Sequence, residues 1–198
     1  MFDKSDFNGT ELRAVAGNFL YSTGANEIAK RYTLGHFDLP LKACTITAVG
    51  ITEPGAGSDV AGIKTSARRD GDHWVLNGSK LFITNGDVAD RILLFGKFSG
   101  IDDPKKAISV LVLEKGAPGF EVVRLEDKMG HRGSSTASLR FDGVRVPRAN
   151  LIGEPGDGLR ILLASLNRSR PSIAAHAMGI AMAAFNDMTA YMNERKQS

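Results

Sequence analysis

The sequence predicts an α+β protein, in which an antiparallel β-barrel or sandwich is flanked by a short N-terminal helix and by one or two long C-terminal helices. Short runs rich in Val, Ile, Thr and aromatic residues alternate with turn signals between residues 43 and 155. No helical pattern separates these runs, which argues against a parallel βαβ sheet. After Pro155-Gly156 the apolar residues recur every three or four positions, as they do in a helix.

The composition is that of a globular protein with one sizeable core. Of the 198 residues, 42% are hydrophobic and 24% are charged, which excludes wholesale disorder. The net charge of +3 is mildly basic and spread along the chain, which argues against nucleic acid as a partner. No apolar run approaches the ~20 residues that cross a bilayer, so we expect no membrane span. The acidic opening MFDKSDFNGTE and the single cysteine, Cys44, lead us to expect a cytoplasmic protein.

The elements can be assigned in order along the chain. Residues 1–42 are broken by glycines and contain one short helix, EIAKRYTLG. In the strand region, Asn77-Gly78 lies between HWVL and KLFIT and predicts a two-residue hairpin turn. Asp70-Gly71-Asp72 predicts another turn just before it. The runs RILLF and SVLVL are almost wholly apolar, which predicts strands buried on both faces.

The C-terminal segment contains two apolar stripes, which Pro171 separates or kinks. A single helix over residues 157–195 would be about 58 Å long, too long for the strand domain to cover its apolar face. We therefore expect partner helices from another chain or from further sequence, and hence a homo-oligomer. The two stripes consist of Leu159, Leu162, Leu163 and Leu166, and of Ile173, Ala177, Ile180, Ala184, Met188 and Tyr191.

The strongest local feature is the segment ITEPGAGSDV, residues 51–60, directly after an apolar run. Its glycines allow the backbone to approach a ligand closely, and the hydroxyls of Thr52 and Ser58 suit a phosphate or a ring heteroatom. The segment is neither a dinucleotide fingerprint nor a P-loop, because Val60 replaces the third glycine and no Gly-Lys-Ser/Thr follows. Taken alone, it is compatible with an anion-binding loop or with a tight structural turn.

Five motifs in the same order resemble those of the acyl-CoA dehydrogenase family. The first two, TEPGAGSDVAGIKT and LNGSKLFITNG, resemble the family's flavin loops. Later landmarks are KMGHRGS, VRVP and NERKQ, so that the resemblance covers residues 28–198. It implies three parts: 1–42 as the remnant of an N-terminal helical domain, 43–155 as a flavin-binding β-barrel middle domain, and 156–198 as the start of a C-terminal helical bundle.

The resemblance implies FAD as cofactor and an acyl-CoA as substrate. Ile51 and Thr52 would contact the edge of the isoalloxazine ring, and Ser58 would bond a flavin phosphate or the acyl-CoA. Phe82 occupies the family's aromatic position against the flavin, for which a core aromatic is the plain alternative. Further flavin contacts would come from Ile83 and Thr84.

The remaining implied residues lie in the helical segment. Asn167 and Arg170 match positions near the bound thioester and CoA. Arg195 matches the arginine that reaches the FAD pyrophosphate of a neighbouring subunit, although a solvated charge at a helix end is the alternative.

The sequence assigns neither a catalytic residue nor a metal ligand. None of the four histidines has a partner at metal-ligand spacing or a place in a Ser-His-Asp order; they are His36, His73, His131 and His176. Glu53 is structural in the family. The position on this helix where some members carry the catalytic glutamate holds Ser169, which cannot act as a carboxylate base.

The implied reaction is α,β-dehydrogenation of an acyl-CoA in fatty acid or amino acid catabolism, with an electron-transfer flavoprotein as acceptor. The apparent lack of a base leaves an alternative of a different class. The chain would then be a non-catalytic flavin- or CoA-binding module that acts through oligomeric or partner contacts.

Overall fold

The structure of the protein is a computed structural model that describes residues 46–103 and 106–197. The short helix expected in EIAKRYTLG, the proposed domain 1–42, His36 and Cys44 lie outside the described residues. Within them, the chain forms eight strands and one long α-helix. The elements are β1 (Thr47–Gly50), β2 (Ser66–Asp70), β3 (His73–Thr84), β4 (Arg91–Phe98), β5 (Ile108–Glu114), β6 (Phe120–Leu125), β7 (Thr136–Pro147), β8 (Leu151–Ile152) and α1 (Gly158–Glu194).

The strands form one open, mixed sheet in the order β6-β7-β3-β2-β4-β5-β8, with β1 beside β4. The strands, the C-terminal helix and most of the antiparallel pairing were predicted, but the sheet is mixed rather than wholly antiparallel, and it does not close into a barrel. Both β1 and β2 run parallel to β4, and they pair with successive parts of the same edge of that strand. Among the described strands, β6 and β8 end the sheet without pairing with each other.

The predicted hairpin turn at Asn77-Gly78 is also wrong, because both residues lie inside the continuous strand β3. The register between β3 and β7 shifts at this point, and the Asn77 side-chain oxygen accepts a hydrogen bond from the Gly143 amide at 2.9 Å. The turn predicted around Gly71 is present, since it joins β2 to β3 with Asp70 paired to His73.

Strands β4 and β5 are buried on both faces, as their composition predicted. One face contributes Leu94 and Leu111 to a core shared with β3 and β7. The other face contributes Leu93 and Val110 to a second core, which the start of α1 covers. The second core is therefore where the helix joins the sheet.

Helix α1 is continuous through Pro171 and about 55 Å long at 1.5 Å per residue. Asp157, just before it, pairs with Arg160 at 2.8 Å and accepts a hydrogen bond from the Glu154 amide. Ile161 and Leu162 are buried, whereas nearly every residue from Arg170 onward is exposed. No helix in the described part of the chain has the length and apolar character needed to span a membrane.

Candidate functional site

The glycine-rich segment belongs to a loop that leaves the sheet and returns to almost the same place. Gly50 lies opposite Leu94 of β4, and Ser66 lies opposite Lys97. Only two residues of β4 separate the points of departure and return, so residues 51–65 form a compact excursion of the Ω type. We call this segment the 51–65 loop.

The tip of the loop is exposed and is open to a ligand. Glu53 and Ala56 exchange two backbone hydrogen bonds around Pro54-Gly55, at 2.9 and 3.1 Å. Gly55 and Gly57 have no positive φ, and a Cβ on either would meet no atom within 4 Å. Neither backbone conformation nor internal packing therefore requires glycine there, which agrees with close approach by a bound molecule. Ser58 is exposed on the same tip.

The base of the loop is closed by a buried ion pair that the sequence analysis missed. Lys80 of β3 is fully buried, and its ammonium donates to a Glu53 carboxylate oxygen and to the Ile51 carbonyl, each at 2.8 Å. The Glu53 carboxylate also accepts the backbone N–H groups of Lys64 at 2.6 Å and Thr65 at 2.9 Å. One carboxylate thus joins both ends of the loop to the sheet.

Burial and pairing act in opposite directions on these two groups. Burial lowers the pKa of Lys80 to about 8, even though the bond and the charge of Glu53 favour the ammonium. Burial would raise the pKa of Glu53, but hydrogen bonds from Lys80, Thr65 and Lys64 hold it below its usual value. At neutral pH the pair is ionised, and Glu53 is occupied as a structural acceptor.

Lys80 could have been found from the alternation of β3. Trp74, Leu76 and Lys80 share the buried parity of that strand, so a lysine falls where an apolar residue is expected. A buried ammonium needs a carboxylate, and Glu53 lies in the adjacent motif. The family resemblance instead singled out Phe82, the aromatic residue two positions after Lys80.

Next to Lys80 the strand bulges and exposes Phe82. The β3–β7 register is interrupted between Lys80 and Ile83, and the Leu81 amide turns to donate to the Thr52 carbonyl at 2.8 Å. Phe82 has a φ of 58°, which is costly for a non-glycine residue, and its side chain is 58% exposed. The backbone conformation therefore presents an aromatic ring to the outside, one residue after the Leu81 amide that bonds Thr52.

The other predicted residues of this strand lie around the bulge. Ile83 is buried in the first core, and Thr84 is half-buried opposite Thr136 of β7. Ile51 and Thr52 are half-buried at the start of the loop. The structure thus groups Ile51, Thr52, Phe82, Ile83 and Thr84 at one end of β3, with Ser58 at the loop tip.

The second core places the start of α1 against the loop. Ala56 and Ile63 of the loop share this core with Ile161 and Leu162, and Leu166 packs at its margin. The glycine-rich tip is therefore held near the first turns of the helix.

Asn167 and Arg170 lie on the next turns of α1. The Arg170 guanidinium donates to the Asn167 side-chain oxygen at 3.0 Å, and both residues are exposed. The Ser169 hydroxyl donates to the Leu166 carbonyl at 3.2 Å. Asn167 and Arg170, which were predicted to contact the thioester and CoA, are thus hydrogen-bonded to each other.

Arg195 is not brought to this site within the chain. It follows the last residue of α1, about 50 Å along the helix from Leu162. Its guanidinium carbon lies 5.9 Å from the centre of the Tyr191 ring.

The histidines form no metal centre in the part of the chain that the structure describes. His131 has a φ of 53°, and its ring centre lies 5.3 Å from that of His176 on α1. Across residues 46–103 and 106–197, no group of three or more His, Cys, Asp or Glu side chains could hold a metal ion.

Comparison with known families gives matches over both parts of this structure. The profile of the acyl-CoA dehydrogenase middle domain matches residues 48–144, and that of the family's C-terminal domain matches residues 156–198. A profile of NicX, 2,5-dihydroxypyridine 5,6-dioxygenase, matches residues 1–52, most of which lie outside the described residues.

Individual relatives extend across nearly the whole chain. The short-chain specific acyl-CoA dehydrogenase of Clostridium acetobutylicum is 42% identical over 185 residues, which are 93% of this chain and 47% of the relative. The structure of butyryl-CoA dehydrogenase from Megasphaera elsdenii matches with a TM-score of 0.86 and 36% identity, over 93% of this chain and 50% of that one. A structure described as the electron transferring flavoprotein of Acidaminococcus fermentans matches with a TM-score of 0.80 and 38% identity, over 86% of this chain and 46% of that one.

The chain spans about half the length of the curated relatives that it matches. Relatives that cover 93% of it also reach into the segment that the NicX profile matches. Two profiles in order, together with similarity in sequence and fold across the sheet and the helix, show that this chain belongs to the acyl-CoA dehydrogenase family.

Proposed function

We propose that the chain contributes to FAD-dependent α,β-dehydrogenation of an acyl-CoA thioester. Residues 43–155 would act as the flavin-binding middle domain and 156–198 as the start of the helical bundle, after the N-terminal remnant 1–42. One observation carries the proposal: the exposed ring of Phe82, held at a positive φ next to Leu81, whose amide bonds the Thr52 carbonyl at the start of the 51–65 loop. The single cysteine suits a reducing compartment, so we also propose a cytoplasmic location.

The residues at the end of β3 fit a flavin. A flat aromatic ring system needs an apolar face, which Phe82 and Ile51 supply, and donors at its rim, which Thr52 and Thr84 supply. Bound FAD would take up the β-hydrogen as hydride, a step that no side chain can perform. The chain's own task is to orient the ring, and the loop tip with Ser58 would hold a phosphate of the flavin or of the acyl-CoA.

Asn167 and Arg170 suit the other ligand. A guanidinium recognises a phosphate through paired N–H donors, and an amide can hydrogen-bond a thioester carbonyl. Arg170 and Asn167 project from the turn of α1 that follows the second core, so they would meet an acyl-CoA lying along the loop. Hydrogen bonds to the thioester oxygen lower the cost of removing the α-proton.

Arg195 would serve a neighbouring subunit. It lies far along α1 from the loop, so a contact with FAD pyrophosphate requires a second copy of the chain. Electrons would leave to an electron-transfer flavoprotein, in keeping with the similarity to the Acidaminococcus fermentans structure.

The base that removes the α-proton is not found among these site residues. Both oxygens of Glu53 accept hydrogen bonds, and Ser169 carries a hydroxyl that stays protonated at neutral pH. These observations favour, as a second candidate, a module that binds flavin or CoA without turnover.

Flavin binding is tested by titrating the purified chain with FAD and following the quenching of flavin fluorescence. We expect saturable quenching that Thr52→Ala weakens, because Thr52 lies at the end of β3 beside Phe82. Thr189→Ala is the matched control, since its hydroxyl bonds only the α1 backbone in this structure. Absence of saturable quenching at high micromolar FAD would refute the assignment.

Turnover is tested by anaerobic mixing of the FAD-loaded chain with a panel of saturated acyl-CoAs. We expect the oxidised flavin absorbance to persist over minutes, and Ser169→Glu to allow slow bleaching because it restores a carboxylate. Ser172→Glu, on the following turn, is the control. Rapid bleaching by the unchanged chain would show that another carboxylate is the base, with Glu53 examined first, and would remove the binding-module alternative.

A further inference from the structure

We propose that Lys80 and Glu53 are positioning residues: their ion pair closes the 51–65 loop onto β3 and fixes Thr52 beside Phe82. The proposal rests on the proposed function in one respect, since Thr52 and Phe82 are the residues expected to face the flavin. The closure itself is a property of the chain without any ligand.

The bonds of the pair reach three separate points of the loop. The Lys80 ammonium binds the Ile51 carbonyl at the start of the loop and the Glu53 carboxylate two residues later. The carboxylate binds the amides of Lys64 and Thr65 at the end of the loop. Removing Lys80 therefore loosens the start of the loop directly and the end of the loop through Glu53.

The adjoining bond connects this closure to the site. Leu81 follows Lys80 in the chain, and its amide donates to the Thr52 carbonyl at 2.8 Å. Phe82 comes next, at the bulge. Any shift of the loop away from Lys80 would lengthen the Leu81–Thr52 bond and separate Thr52 from Phe82.

General stability does not account for the pair. Replacing both partners of a buried ion pair by apolar side chains of similar volume is commonly neutral, because both charges lose their hydration, whereas removing one partner leaves the other charge buried and unpaired. Lys80 lies opposite the buried Leu139, and its aliphatic stem passes Gly50, so methionine would fit the same space. The specific contribution of the ammonium is its pair of directed bonds to the loop.

The experiment compares the full chain with Lys80→Met and with Lys64→Met as the matched control. Lys64 is exposed, and it joins the closure only through its backbone amide, so its substitution removes a lysine charge next to the closure without removing one of its bonds. Three quantities are measured: the urea midpoint, hydrogen exchange at the Leu81 amide, and the Kd for FAD. Hydrogen exchange is measured in the absence of ligand, and the amides of β5 serve as the internal reference for any change in overall stability.

For Lys80→Met we expect a lower urea midpoint, because the buried Glu53 carboxylate loses its counter-charge. We also expect exchange at Leu81 to quicken at least tenfold more than at the β5 amides, and at least a tenfold higher Kd. Lys64→Met should leave the urea midpoint unchanged, and the exchange rate at Leu81 and the Kd within twofold. Unchanged exchange at Leu81 would overturn the proposal, and so would faster exchange with an unchanged Kd. If the unchanged chain fails to bind FAD, the proposed function is refuted, while exchange at Leu81 still decides the positioning role. If Lys80→Met does not fold, Glu53→Gln, which removes the charge at constant shape, is judged by the same measurements.

Discussion

The 51–65 loop and the distal part of α1, residues 171–194, differ in what fixes their structure. The loop has no regular structure apart from the short 3₁₀ turn Val60–Gly62, yet bonds to Glu53 join its two ends and bonds from Lys80 tie it to β3. The distal helix is regular throughout, yet its large apolar side chains are exposed. They are Ile173, Met178, Ile180, Met182, Phe185, Met188, Tyr191 and Met192, each 49–67% exposed.

The difference shows that regular structure and tertiary stability are separate properties. Helical hydrogen bonds satisfy the backbone of α1 locally, but most of a helix's stability in a protein comes from packing its apolar side. The loop obtains its order from the burial of Ala56 and Ile63 in the second core and from a few long-range polar contacts. These polar contacts hold only while every partner is present. The loop should therefore be sensitive to single substitutions, whereas the distal helix should be sensitive to what covers it.

The largest expected effect comes from Glu53→Ala. The substitution leaves the Lys80 ammonium buried without a counter-charge and removes the acceptor of two backbone amides, which should lower the free energy of unfolding by about 4 kcal/mol. Urea denaturation measures it. Glu114→Ala is the control, because its ion pair with Arg91 is 4.0 Å long and Glu114 is 68% exposed, so about 0.5 kcal/mol or less is expected. Equal effects of the two substitutions would contradict the role of the buried pair.

Gly78→Ala should destabilise the protein by about 3 kcal/mol, because it drives the loop's end away from the sheet. A Cβ on Gly78 would lie 2.7 Å from the Thr65 Cα. In addition, Gly78 has a φ of +149°, which residues with a side chain rarely adopt. Gly55→Ala, at the open tip, meets no atom within 4 Å and should change stability by less than about 1 kcal/mol. Urea midpoints of the two variants compare a packed glycine with an open one, and a larger loss at Gly55 would contradict this account.

Gly78 also shows why local patterns predicted this fold only in part. Asn-Gly is a strong hairpin signal, but here Gly78 allows β3 to pass Thr65, a contact that the local sequence does not contain. The apolar composition of β4 and β5 did predict burial on both faces, because burial leaves its mark on each residue of a strand. The parallel alignment of β1 and β2 with β4 depends on the path of the 51–65 loop, which turn propensities do not encode.

The same reasoning applies to the site. Motif resemblance identified Thr52 and Phe82, and the structure adds what the motif does not state, namely the bulge and the positive φ that expose the ring. Lys80 was overlooked because its importance comes from a partner in another motif. Arg195 shows the opposite limit of motif resemblance. The motif predicts a contact with the FAD pyrophosphate of a neighbouring subunit, and a single copy of the chain does not contain that subunit.

A smaller effect is expected on the distal helix. We expect the chain to self-associate, because an uncovered apolar helix face is unusual on a monomer. Ile180→Lys combined with Met188→Lys should weaken association by about 2 kcal/mol, or roughly 30-fold in Kd. Sedimentation velocity at tens of micromolar is the measurement.

Asn186→Lys with Asn193→Lys adds the same charge on another side of α1 and serves as the control. This pair should leave association unchanged. A compact monomer for the unchanged chain would rule out self-association through this helix.

The smallest effect is the response of the buried ion pair to pH. The folded pKa of Lys80 is about 8, below the ordinary 10.5, so the folded state binds fewer protons at Lys80 than the unfolded state between these values. Stability rises with pH wherever the unfolded state binds more protons, so the contribution of Lys80 should increase as the pH rises through 8. Between pH 7 and 9 the increase should be about 1 kcal/mol.

Lys80→Met removes this titration while the other groups of the chain remain. The difference in unfolding free energy between the unchanged chain and Lys80→Met should therefore move in favour of the unchanged chain as the pH rises from 7 to 9. Lys64→Met, which removes an exposed lysine, should show no such change. A difference that is flat from pH 7 to 9 would mean that Lys80 keeps an ordinary pKa and that its burial is compensated more completely by Glu53 and Ile51 than the structure indicates.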